Sequence, residues 1–477
     1  MNRSLLAFIV FFLSLSRPAF AQYDDDLTDE QIKVLDARMD SLIAVAIDTC
    51  DAGNCEVALE LGKEAMNICR DIYGRCTYYA WLQLRMAEFY AALENYDEAV
   101  HLCERARALY FREEGTENED YMQALHDLAL YQSESENYTE AVRLQEQVVA
   151  ICERVLGAEN EDYIWELNKL SIYQYRSENY SEAVRSVEQA IAIYERIFGI
   201  ENKDYAILMS NLAGYQSELE NYTEAVRLQE QVVAIYEREI GTENEDYLWK
   251  LNRLSMYQCD NENYVEAVRS VEQAIAIYER VVGTETEGYI NMLSSLASYQ
   301  SELDNYTEAV CIQEQVVAIC ERVLGTENED YPCYLSYLAS YHYGSDNYTE
   351  AMRLQEQVVA IYERVLGTEN EYYIYALSDL ALYQFYCENS VNAVRLGEQA
   401  IAIYERVVGD ETDDYAILLS NLAWFQSELE NYTEAVRIQE QVVAIYERVL
   451  GTEQEVYIEA VADLNEYKGH LEGGTAQ

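Results

Sequence analysis

Nine glycines, Gly115, Gly157, Gly199, Gly241, Gly283, Gly325, Gly367, Gly409 and Gly451, stand 42 residues apart without a slip. A period held that strictly marks stacked supersecondary units, each burying its apolar face on its neighbours. Such a chain builds an extended surface. A globular enzyme has no need to repeat one unit through most of its 477 residues. Length here counts repeats, not domains. Half the residues are hydrophobic and only two are Pro, so long helices can share a continuous core.

One unit, from Tyr205, reads YAILMSNLAGYQSELENYTEAVRLQEQVVAIYEREIGTENED. Leu208, Leu212, Ala213 and Tyr215 recur at helical steps and predict a first helix. Asn221 with Glu224 has the spacing of a capping box opening a second helix, whose apolar face carries Ala225, Leu228, Val232, Val233 and Ile235. Gly241 is expected to end that helix in a left-handed conformation, and Thr242 with Glu245 to cap the next unit. The pattern predicts an all-α solenoid of ten antiparallel hairpins. Its expected parts are a degenerate capping hairpin over 22–76, the tandem array over 77–452, a solvating helix over 453–469 and a flexible tail over 470–477.

The run LxxLAxY, then NYTEA, then AIYERVLG, returning after 42 residues, resembles a tetratricopeptide repeat, and more narrowly the subtype of kinesin light chains. The resemblance covers about residues 50 to 460. It implies a right-handed superhelix whose first helices line a concave, peptide-binding groove. There are departures. Gln132, Gln216 and Gln300 stand where that subtype places Tyr, with Tyr one residue earlier at 131, 215 and 299. Glu-Asn-Glu-Asp replaces the usual His-Pro after the loop Gly, and no heptad coiled coil precedes the array. The motor-adaptor role is therefore not carried over.

Arg3, the apolar run Leu5 to Leu15 and Ala19-Phe20-Ala21 read as a secretory leader cleaved after Ala21, which predicts a periplasmic or secreted protein. The run is too short to remain as an anchor. A net charge of −56 repels nucleic acid and anionic lipid and favours a basic or mixed-charge partner, or serves solubility alone. Of the eleven Cys, Cys50/Cys55 and Cys69/Cys76 flank turns and could each staple the first hairpin. Their spacing suits no zinc site, and Cys152 and Cys320 replace core Tyr, so both are expected to be buried. No cofactor or metal is expected. His101, His126, His342 and His470 form no ligand or catalytic spacing, and the chain reads as non-catalytic.

Most of the 44 Tyr recur at fixed repeat positions and belong to the core. The residues that vary on first helices are the candidates for binding. Trp81, Trp165 and Trp249 each precede a cation by four residues, Arg85, Lys169 and Arg253, which puts each pair on one helix face. Asn168 and Asn252 sit just before the last two cations. A ring, an amide and a cation on one wall suit an extended peptide. The 84-residue echo is equally what duplication of a two-repeat block leaves, as the alternation of SVEQAIAIYER with LQEQVVAIYER suggests. A second group breaks the pattern at 333–386: Tyr334, Tyr337, Tyr343, Tyr372, Tyr375, Phe385 and Tyr386, with Trp424 extending it. The expected function is an extracytoplasmic scaffold binding a peptide on the first-helix face. Alternatives are a glycan or cell-wall binder using the same rings, or an accessory subunit that binds by its convex face or ends. The recurring NYT and NYS sequons coincide with the helix caps, and the acidic loops suit helix N-termini.

Overall fold

The structure, a computed structural model, describes residues 28–474. The leader expected over 1–21 and residues 475–477 lie outside it. The described residues form 21 helices and no strand. Contacts divide the chain into two compact units, Met1–Glu239 and Ile240–Gln477.

The first unit holds the hairpins Asp29–Asp51 with Cys55–Tyr73, Thr77–Ala91 with Tyr96–Glu114, Glu119–Glu134 with Tyr138–Val155, Glu161–Arg176 with Tyr180–Phe198, and Lys203–Glu218 with Tyr222–Ile240. The second holds Glu245–Asp260 with Tyr264–Val281, Glu287–Glu302 with Tyr306–Val323, Tyr331–Gly344 with Tyr348–Val365, Glu371–Tyr386 with Ser390–Val407, and Asp413–Glu428 with Tyr432–Val449. The closing helix, Glu455–Gly474, runs through most of the segment expected to be a flexible tail. Among the described residues no helix is long and apolar enough to cross a membrane.

Each hairpin closes on the Ala of its second helix. Ala99, Ala141, Ala225 and Ala435 are fully buried, and any larger side chain there would push the helices apart. The first hairpin turns on Gly53 at φ 87°, and the turn inside each of the other nine uses a non-Gly residue at φ near +60°, from Glu94 (58°) to Glu430 (59°). The Asn that follows bonds back five residues, as Asn137 N does to Gln132 O at 2.8 Å, the closure of a Schellman turn. At Asn95 its side chain caps the second helix as expected, accepting from Glu98 N at 3.3 Å, but at Asn137, Asn179, Asn263, Asn305, Asn347, Asn389 and Asn431 it makes no cap bond. The side-chain amide of Asn137 donates to Gln132 Oε1 at 2.8 Å, and those of Asn221 and Asn431 donate to Gln216 and Gln426 at 2.9 Å. Glu224, the expected capping partner, instead pairs with Arg227 at 2.5 Å. The odd Gln of the repeat thus locks the turn.

Between hairpins the chain needs Gly. Gly199 sits at φ 83°, ψ −172°, a region that side chains with a Cβ avoid. The next first helix is capped two residues later than read from the sequence. Asn244, not Thr242, accepts from Asp246 N at 2.8 Å, and Asn202 accepts from Tyr205 N at 2.9 Å. Successive hairpins are joined by a buried Gln of the second helix. Nε2 of Gln145, Gln313, Gln355 and Gln439 donates to the backbone carbonyl of Glu166, Tyr334, Ala376 and Ala460 at 2.9–3.2 Å. Acidic loops add ion pairs to the following second helix, as Arg280 to Glu243 at 2.8 Å and Arg364 to Glu327 at 2.7 Å. Both partners are exposed, so solvent screens these pairs and they add little to stability.

The Cys50–Cys55 disulfide is formed. Cys69 and Cys76 are both buried and unjoined. A hydrogen bond from the Cys69 thiol holds Cys76 down to about 6 against burial. Cys152 and Cys320 are fully buried.

Candidate functional site

First helices of consecutive repeats touch within each unit, and side chains about 38–44 residues apart meet across them. Register therefore decides which candidates can act together.

In the first unit, Trp81 stacks on Tyr78 at 5.5 Å, and the Arg85 guanidinium lies 5.7 Å from the Trp81 centroid. That pair forms as the spacing requires. Arg85 is also held by Glu88 at 2.7 Å. Burial lifts the Glu88 carboxyl to about 7, with Arg85 opposing and Asp127 adding to the rise. Lys169 does not cover Trp165, which is half-buried. The Lys169 ammonium lies 3.2 Å from His126 Nε2 and 3.3 Å from Glu166. His126 Nδ1 and Glu166 are 3.1 Å apart, and Gln145 donates to the same carboxylate at 2.6 Å. Burial pushes the Glu166 carboxyl up, but these partners outweigh it and hold it near 2. Asp127 completes the network. It accepts from Gln123 at 2.6 Å, while its second oxygen is buried without a partner. Burial raises its carboxyl, opposed by His126, Gln123, Arg85 and Lys169. Asn168 is not available to a peptide at its carbonyl, because it is buried and accepts from Asn211 at 2.8 Å.

In the second unit, Trp249 is 41% exposed and meets Tyr278 edge-on at 6.2 Å. Arg253 lies over Tyr257 at 5.9 Å rather than over Trp249. Asn252 Oδ1 is buried without a hydrogen-bond partner. The register mate of Asn211 is Ser295 here, and its hydroxyl turns to Asn291 O at 3.0 Å. So the amide bond of the first unit has no counterpart.

The aromatic residues of 333–386 divide. Tyr334 belongs to the core, buried and bonded to Asn291 at 2.6 Å. Tyr375 turns its hydroxyl to Asp414 at 2.9 Å. Tyr372 stacks on Tyr362 at 5.8 Å, and Tyr337 is 50% exposed. Tyr343, Phe385, Tyr386 and Trp424 converge. Tyr343 meets Tyr386 at 5.2 Å and Phe385 meets Trp424 at 4.9 Å. Tyr386 lies 5.8 Å from Trp424 and stacks on Tyr348 at 4.8 Å. These four side chains come from three consecutive first helices and keep part of their surface in solvent.

The residues missed from the sequence are His126, Asp127, Glu166 and Asp379. Their signal was register: 126 and 169 differ by one repeat plus one residue, as 168 and 211 do.

Tetratricopeptide repeat profiles match residues 78–154, 133–196, 175–238, 246–322 and 383–448, and a second such profile matches 334–371. Among solved structures, a putative kinesin light chain from Podosopora anserina with nearly identical repeats is 28% identical. It covers 44% of this chain and 99% of its own, with a TM-score of 0.41. The apo form of RapI is 12% identical over 78% of this chain and 98% of its own, at a TM-score of 0.53. A signal-transduction ATPase with a tetratricopeptide repeat sensor from Pyrococcus horikoshii is 14% identical over 79% of this chain and 55% of its own, at 0.51. The search of curated proteins found no match. Arrays of this kind are generally non-enzymatic scaffolds for protein–protein interaction. The chain belongs to the tetratricopeptide repeat family.

Proposed function

We propose that this protein is an extracytoplasmic, non-catalytic scaffold that holds a peptide segment of a protein partner on its first-helix face. The carrying observation is the ring cluster Tyr343, Phe385, Tyr386 and Trp424, apolar surface gathered from three helices yet left partly in water. Aromatic surface kept accessible at that cost is characteristic of binding hot spots. The leader-like start and the Cys50–Cys55 disulfide favour an oxidising compartment. A net charge of −56 steers basic or mixed-charge partners toward the array.

The test is a pull-down from the native extracytoplasmic fraction with three proteins: wild type, a Phe385→Ala/Tyr386→Ala/Trp424→Ala variant, and a Trp81→Ala/Arg85→Ala variant. Loss of the partner with the first variant, at unchanged helicity, supports the reading. Equal capture by all three would place the contact elsewhere, on the opposite face or an end. Elution by oligosaccharide, insensitive to salt, would favour a glycan ligand instead.

A further inference from the structure

The aromatic cluster has a carboxylate beside it that nothing in the fold neutralises. Asp379 lies on Glu371–Tyr386, one helical turn before Tyr383 and two before Tyr386. On the neighbouring first helix, Trp424 stands one turn beyond the level of Asp379. Tyr383, which touches Tyr343 at 5.3 Å, has its hydroxyl pKa raised by burial first and then by the Asp379 charge. The carboxylate and the rings thus share one stretch of the face.

No Lys or Arg occurs on Tyr331–Gly344, Glu371–Tyr386 or Asp413–Glu428. The cations of the adjoining second helices are engaged elsewhere. Arg353 pairs with Glu350, Arg364 with Glu327, Arg406 with Glu369, and Arg395 binds Asn392. The polar neighbour of Asp379 is Gln355, whose Nε2 is 3.5 Å from Oδ2, at the limit of a hydrogen bond. Burial alone lifts this carboxyl to about 6. Asp127 holds the same repeat position six units earlier, and there His126, Arg85 and Lys169 supply positive charge. The second unit has kept the acid and dropped its cations.

We propose that Asp379 and the Tyr343–Phe385–Tyr386–Trp424 cluster form a subsite for one Lys or Arg side chain of the bound peptide. The aliphatic stem lies on the rings and the charged head reaches Asp379. A long basic side chain suits both halves, since its stem covers apolar surface while its head seeks a carboxylate, and a guanidinium also stacks on aromatic faces. The inference rests on the peptide-binding reading and deepens it.

The test is panning of a random twelve-residue display library on the full mature protein, on Asp379→Asn and on Asp379→Glu. Calorimetry then follows on a selected peptide and its norleucine-substituted twin. Wild type and Asp379→Glu are expected to select a Lys or Arg at one position, and Asp379→Asn to select peptides without it. The basic peptide should lose at least tenfold in affinity on Asp379→Asn, and the norleucine twin should not change. Selection of peptides with no basic preference, or a basic preference untouched by Asp379→Asn, would overturn the cation subsite and leave the peptide reading intact. Selection of no peptide by any of the three would overturn both. Circular dichroism of each variant establishes that the fold is retained.

Discussion

At the scale of single residues, two positions carry costs that the array bears for opposite reasons. The raised Asp379 carboxyl means that the folded chain holds this proton more tightly than the unfolded chain does. Folding stability therefore falls as pH climbs through the window from about 4, the unfolded value, to about 6. Asp379→Asn removes the penalty. At pH 8 the variant should be more stable than wild type by on the order of 2–3 kcal/mol, and at pH 4 the difference should vanish. Urea titrations of both proteins at the two pH values check this. Gly199 is the opposite case. A Cβ there would meet nothing within 4 Å, yet the backbone lies in a region nearly closed to other residues. Gly199→Ala should cost about 1–3 kcal/mol through local strain alone, read as a fall in the denaturation midpoint. The 42-residue spacing of Gly made this requirement visible in the sequence. The equally periodic positive-φ residues from Glu94 to Glu430 escaped notice, because Glu and Asp carry no such signature.

At the scale of helices, the hairpin is a local object and its partners come from the next repeat. Apolar periodicity, the buried Ala and the capping Asn are read along one chain segment, which is why the helices were legible. The role of each Asn was not. Asn137 stands where a cap is expected, but its side-chain amide is oriented by donating to the side-chain oxygen of Gln132 five residues back, and no cap bond forms. The site residues were hidden for a related reason. The contacts of His126 with Glu166 and Lys169 span 40 and 43 residues and emerge only once neighbouring helices are aligned. By the same logic Trp81 and Arg85, on one helix, were found together, whereas Lys169 and Arg253 left their Trp for partners one repeat away or one turn on. The inter-repeat Gln is a mild device. Gln313→Val should cost about 1 kcal/mol, since it deletes one bond to Tyr334 O while Val187 and Val271 already fill the equivalent site. Thermal melts of the single variant measure it.

At the scale of the whole molecule, stability accumulates from nearest-neighbour contacts, so the repeat is the natural unit of deletion. Removing residues 286–327 joins equivalent loop positions. It should leave a soluble, helical protein with a cooperative melt, by circular dichroism and calorimetry. Removing 286–306 takes away one first helix, strands the apolar face of its partner and should yield a protein that aggregates or melts without cooperativity. The central claim is that a partner lies on the first helices and not on the opposite face. Site-specific photo-crosslinking tests it most directly, with the reactive group placed at Tyr386, inside the ring cluster, and separately at Val391, which is 84% exposed on a second helix. In native extract the account predicts a discrete adduct from position 386 and none from 391. An adduct from 391 with none from 386 would contradict it.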